Sequence, residues 1–206
     1  MSYNELNNEL NNGVYMNYYH EVNNAKAYTE MCDGFNAAEQ LHMLSKVLSP
    51  EDSVLELGSG PGNDLEILAQ KFRVTGSDYS PAFVNTLNKR LPDVLSLILD
   101  AVKIETEARY NAVYSNKVMH HLSDTELRQS FRRQAELLLP GGFVFHLVWQ
   151  KIQAPETTHG LLFHPRSLAK MKEAMGQEFN VVESKVFSEF EDGDSLAILA
   201  RKVFQS

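Results

Sequence analysis

From residue 52 onward the chain alternates between two rhythms. Short apolar runs, SVLELG (53–58), RVTGSD (73–78), VLSLILD (94–100), YNAVYSN (110–116) and FVFHLVW (143–149), read as strands. Between them, apolar positions recur every three or four residues, the spacing that gathers them on one face of a helix. DLEILAQKF (64–72) is one such stretch, and the run after Ser80-Pro81, with Phe83, Val84, Leu87 and Leu91, is another. A serine followed by proline at the first helical position is a start signal. Ser123 with Glu126 forms a capping box. It opens a helix with Leu127, Phe131, Gln134 and Leu138 on one face, ended by Pro140-Gly141-Gly142. PRSLAKMKEAM (165–175) is expected to be the last helix. Then the alternation breaks. VVESKVFSEF and DSLAILARKVF flank EDGD (191–194), whose Asp-Gly pair signals a hairpin and not a helical crossover.

Strands separated by helices imply βαβ units, hence an α/β fold with a doubly wound, mostly parallel sheet and helices on both faces. The closing hairpin adds a final antiparallel strand. Ahead of this core, an aromatic helical segment is expected near 15–32. A second helix opens at Asn36, with Glu39 as its capping partner and Leu41, Leu44 and Leu48 in step. NELNNELNN (4–12) reads as a frayed tail. No composition break divides the chain. It is therefore expected to form one domain: a flexible tail over 1–14, a helical N-terminal cap over 15–50 and the core over 51–206.

Composition narrows the partners. The 206 residues are 43% hydrophobic, enough for a substantial core, and no apolar run reaches the roughly 20 residues of a membrane span. The N-terminus carries no signal-peptide pattern, and the single Cys32 excludes an internal disulfide, so a cytoplasmic location is expected. The net charge of −8 argues against a nucleic-acid partner. Arg128, Arg132 and Arg133 read as a solvated helix face. The expected partner is a small molecule, and the expected assembly is a monomer or a homodimer.

One stretch points to chemistry. In VLELGSGPGNDLEILAQKF (54–72) a strand runs into Gly58, Gly60 and Gly62, and a helix follows at once. The first βα turn of a doubly wound sheet is where ligands bind, and a plain tight turn needs only one glycine. A dinucleotide fingerprint fits poorly: its third glycine would fall on Asn63, and Glu56 at the strand end is a poor neighbour for pyrophosphate.

LELGSGPGN resembles motif I of the class I S-adenosylmethionine-dependent methyltransferases, which have a Rossmann-like sheet. Further stretches resemble the family in the same order: VTGSDYS, LILDA, YNAVYSNKVMHHLSD, LLLPGGFVFHLVW and the closing helix and hairpin. The resemblance implies S-adenosylmethionine as cofactor. It implies Glu56, Gly58, Gly60, Gly62, Asn63 and Asn116 as cofactor-binding residues, with Gly58 and Gly60 giving close approach to the methionine part, Asp78 on the ribose hydroxyls and Tyr79 beside the adenine. Asp100 and Ala101 are implied at the adenine amine, and Tyr28 at the methionine carboxylate. A metal is not expected, because Lys117 and His120 stand where metal-holding relatives carry carboxylates. Cys32 alone gives no thiol relay.

The implied activity is methyl transfer to an O, N or C atom of a small molecule. A protein or RNA acceptor within a complex, or a non-catalytic cofactor-binding subunit, is the alternative. Alignment is the protein's main task, and a general base is needed only where the acceptor must lose a proton. His120 is the candidate base. His121, His146 and His164 are expected to be structural. Tyr15, Tyr18, Tyr19 and Tyr28 are expected to form a lid.

Overall fold

The computed structural model describes residues 18–151 and 162–204. The tail expected over 1–14, and Tyr15, lie outside the described residues. Seven strands form one sheet: β1 (Ser53–Leu57), β2 (Arg73–Asp78), β3 (Leu95–Ile98), β4 (Tyr110–Asn116), β5 (Leu138–Trp149), β6 (Phe179–Phe187) and β7 (Ser195–Lys202). Their order is β3-β2-β1-β4-β5-β7-β6. β7 runs antiparallel to both β5 and β6, and the remaining pairs are parallel. Six α-helices accompany the sheet among the described residues. They are α1 (Val22–Met31), α2 (Ala38–Ser45), α3 (Asn63–Ala69), α4 (Pro81–Arg90), α5 (Asp124–Leu137) and α6 (Leu168–Met175).

Strand periodicity divides the core in two. Leu55, Val113, Val144, Val148, Leu196 and Ile198 point to one face, where they pack with Leu127 and Phe131 of α5 and Met171 of α6. Val54, Ala112, Tyr114, Phe145, Leu147 and Leu199 point to the other, against Leu41 and Leu44 of α2 and Leu68 of α3. The strand order reverses between β1 and β4, so the turns leaving these two strands open on the same crevice. That switch point is where doubly wound sheets bind ligands.

Two local expectations need correction. Helix α5 ends at Leu137, and Leu138 pairs with Tyr110 in the sheet, next to a β-bulge between Tyr110 and Ala112. Leu138 therefore begins a strand. Its N–H still donates to the Gln134 carbonyl, so Leu138 closes the helix, and Pro140 two residues on cannot continue it. The cap expected from Asn36 and Glu39 is also different. Ala37 is the N-cap residue of α2 and its N–H donates to Asp64, while Glu39 reaches across to Lys185 of β6. The capping box of Ser123 and Glu126 and the Ser80 cap form as the sequence implied.

Candidate cofactor and acceptor site

The turn after β1 has three left-handed residues, Gly58 (φ 68°), Gly60 (φ 50°) and Gly62 (φ 89°). Two of them show why side chains are excluded. A Cβ on Gly58 would lie 2.4 Å from Cγ2 of Val118, so the turn after β4 packs directly on the glycine turn. At Gly60 the nearest atom to such a Cβ is a Tyr28 ring carbon at 3.8 Å, so backbone angle is the constraint there. Ser59 ties the turn to β2: its N–H donates to the Ser77 carbonyl, and its hydroxyl accepts from the Ser77 N–H.

Asp78 closes β2 beside this turn. Its carboxylate accepts from the Gly60 N–H at 2.9 Å and the Ser80 N–H at 2.8 Å. Burial lifts its pKa to about 6 against the pull of these two bonds and of His20. Each oxygen retains a lone pair, as a bidentate partner for a vicinal diol requires. Tyr79 is partly exposed at the rim, with the His20 ring 4.9 Å away. Asp100 accepts from the N–H groups of Val102 and Lys103 through one oxygen, and the Ala101 carbonyl accepts from the Ser130 hydroxyl.

A buried acidic cluster lies beneath the turn. Glu56 is fully desolvated and close to Asp64, which together raise its pKa well above the carboxylate range. Asp64 accepts from the Ala37 N–H (2.7 Å), the Tyr114 hydroxyl (2.7 Å) and the Asn116 amide (2.9 Å). Two buried acceptors here have no partner among the described residues, Oε2 of Glu56 and Oδ1 of Asn116. Unpaired buried acceptors are costly, and these two suit a cationic or amino-bearing group at the turn. The residues present therefore fit S-adenosylmethionine, whose methionine end carries an amine. Neither Asp64 nor Tyr114 was singled out in the sequence. The only signal was a polar hydroxyl and an acid in otherwise apolar rows, which becomes meaningful once the helix is laid on the strand.

Tyr28 belongs to a cluster over the turn, with its ring 4.9 Å from Tyr19 and 5.9 Å from Phe83. Burial raises the phenol pKa of both Tyr28 and Tyr19. The Ser80 hydroxyl donates to the Tyr19 carbonyl, holding this segment to the start of α4. Asn63, at the start of α3, is tied to the segment before it and to α4. Its amide donates to the carbonyls of Cys32 and Phe35, and its oxygen accepts from Arg90. With its side-chain polar atoms engaged, Asn63 anchors the end of α1 beside the glycine turn.

On the β4 side, Lys117 adopts a left-handed φ of 59° and pairs with Glu189 at 2.7 Å. The Met119–His121 turn follows, with His120 buried against Trp149 and Phe163. His146 is internal to the core. It bonds Ser115 at 2.8 Å and Gln134 at 3.0 Å, and burial lowers its pKa to about 3. His164 is partly buried, which lowers its pKa, and its N–H donates to the His120 carbonyl.

A methyltransferase-domain family model matches residues 54–142, the span from β1 into the first residues of β5. The trans-aconitate 2-methyltransferase of Variovorax paradoxus is 32% identical over 143 residues, 65% of this chain and 52% of that protein. Its counterpart in Paracidovorax citrulli is 29% identical over 171 residues, 78% of this chain and 62% of its own length. The chain thus spans about half the length of the first curated relatives it matches. Among solved structures, 1,6-didemethyltoxoflavin-N1-methyltransferase of Burkholderia thailandensis, with bound 1,6-didemethyltoxoflavin and S-adenosylhomocysteine, superposes with a TM-score of 0.72 at 19% identity. That match covers 99% of this chain and 92% of the other. NodS, an N-methyltransferase of Bradyrhizobium japonicum WM9 solved with S-adenosylhomocysteine, gives 0.66 at 18% identity, covering 80% and 84%. Sequence and fold converge on the same turn at the same switch point: residues 54–142 match the methyltransferase-domain family, and the whole sheet has the fold of solved S-adenosylmethionine-dependent methyltransferases.

Proposed function

We propose that this protein transfers a methyl group from S-adenosylmethionine to a small-molecule acceptor. The observation that carries the reading is the pairing at the switch point. Asp78 is bridged to the Gly60 amide, and the unpartnered Glu56 and Asn116 oxygens lie beside the same turn. In this reading Asp78 holds the ribose hydroxyls, and Gly58 and Gly60 allow close backbone approach to the methionine end. Glu56 and Asn116 accept from its amine, while Asp100 and Ala101 border the adenine beside Tyr79. Tyr28, with Tyr19, covers the methionine carboxylate and excludes water. When bound, S-adenosylmethionine supplies an electrophilic methyl group, so the chain's own task is alignment.

The acceptor lies on the β4 side, between Val118, His120 and Trp149. The first compound to test is a small carboxylic acid, after the trans-aconitate 2-methyltransferases to which the chain is similar. We place the protein in the cytoplasm on its lone, free Cys32. Among the described residues no helix is long and apolar enough to cross a membrane.

Calorimetry with S-adenosylhomocysteine and NADH tests the cofactor assignment. Saturable binding of the former is expected, and binding of NADH alone would overturn it. Transfer of labelled methyl from S-adenosylmethionine to trans-aconitate and a panel of small organic acids tests the acceptor class. Label appearing only on added protein or RNA would sink the small-molecule reading.

A further inference from the structure

The turn after β4 holds two consecutive histidines with opposite hydrogen-bonding roles. At His120 the backbone N–H of Trp149 lies 3.4 Å from Nδ1. An N–H can only donate, so Nδ1 carries the lone pair and the ring proton sits on Nε2. That Nε2–H is buried and has no partner among the described residues. At His121 the reverse holds. Its Nδ1 lies 3.0 Å from the Leu162 carbonyl oxygen, which can only accept, so the proton is on Nδ1.

The surroundings keep the His120 ring neutral. Trp149 lies parallel to it at 5.0 Å and Phe163 at 5.4 Å, while His121 meets it edge-on at 4.4 Å. The charged and titratable groups facing it are His121, Lys117, Arg166 and His164, all basic. The nearby carboxylates are already engaged, Glu189 by Lys117 and Asp124 by Arg166. Burial and these basic neighbours push the His120 pKa well below the usual histidine value.

We propose that His120 holds an oxygen of the methyl acceptor through its Nε2–H, acting as a neutral hydrogen-bond donor and not as a base. This rests on the methyltransferase reading above. The sole lone pair of the neutral ring faces the β5 backbone, where it cannot take a proton from an acceptor. An unpaired buried donor is costly, and such groups in native structures call for a partner. The turn that carries it is the one Val118 packs onto Gly58, which sets the donor next to the proposed cofactor loop. An acceptor already carrying an ionised oxygen needs a donor here and needs no base.

The protein itself reports the assignment. With 15N-labelled histidine and saturating S-adenosylhomocysteine, long-range 1H–15N correlation identifies the tautomer of each ring, assigned through signals lost in His120→Gln and, separately, His121→Gln. His120 should appear protonated at Nε2 and unchanged from about pH 5.5 to about 8, with His121 in the opposite tautomer. Titration of His120 inside that range, or a proton on its Nδ1, overturns the proposal. Turnover with labelled methyl donor and the organic-acid panel gives a second arm. His120→Gln, whose amide can donate from the same place, should retain activity within about tenfold. His120→Phe should lose about 10²–10³-fold, the scale for removing one oxygen-binding donor. Equal loss in both variants would instead indicate a base. Should the wild-type protein label nothing, the methyltransferase reading fails, and the tautomer measurement still decides the role of His120.

Discussion

Asp78 carries a charge that the surrounding structure resists. Burial lifts its pKa to about 6, while the Gly60 and Ser80 amides stabilise the ionised form. If the ionised form binds the ribose, S-adenosylhomocysteine affinity should be flat above that pH. Below it, affinity should fall by about tenfold per pH unit, measurable by calorimetry. Asp78→Ala should weaken binding by about 2–3 kcal/mol at neutral pH, and Asp78→Asn by less, since one carbonyl oxygen remains to accept. An affinity within twofold of wild type for the alanine variant would reduce Asp78 to a residue that only organises the turn. Gly60 tests backbone geometry in isolation, because space is available beside it and only φ is restrictive. Gly60→Val should abolish cofactor binding with an unchanged circular dichroism spectrum.

The glycine turn and the turn after β4 are not independent elements. Val118 occupies the space where a Gly58 side chain would stand, so the cofactor and acceptor sides meet through one contact. Gly58→Ala should destabilise the fold and impair cofactor binding. Val118→Ala in that background should recover part of the loss, whereas it should not help Gly60→Ala. A double-mutant cycle with no coupling at Gly58 would show that the overlap relaxes without cost. Helix α1 is held by Asn63, whose amide reaches the Cys32 and Phe35 carbonyls. Asn63→Ala should therefore raise hydrogen exchange over residues 22–36 and weaken cofactor binding only indirectly. Protection unchanged there, with affinity lost, would return Asn63 to the ligand.

At the scale of the whole molecule, buried histidines make the fold acid-sensitive. His146 and His121 have pKa values lowered to about 3 and about 4, and His120 moves in the same direction. The unfolded chain binds their protons first, near pH 6.5, so stability is fully present above that pH. It is lost as pH falls, at about 1.4 kcal/mol per pH unit for each proton. Asp78 opposes this over about pH 4 to 6, and Glu56, whose pKa is also raised, opposes it too, because the folded state keeps their protons to higher pH, but they are two groups against four histidines, His164 included. The urea midpoint should thus drop between about pH 6.5 and 4, and His146→Gln should flatten the slope by about one proton. A pH-independent midpoint would contradict the burial of these rings. Much of this molecule was legible beforehand. Strand and helix periods, the Ser80 and Ser123 caps and the glycine turn are set by neighbours in the chain, and local spacing encodes them directly. That is why the sheet, the switch point and Asp78 could be read from the sequence. Contacts between distant segments could not. The sharing of Asp64 by Tyr114, Asn116 and Ala37, the anchoring role of Asn63 and the tautomers of His120 and His121 depend on strands and loops meeting in space. Sequence determined which residues form each element. The tertiary structure decided what each polar atom bonds, because a buried donor or acceptor takes whichever partner packing delivers.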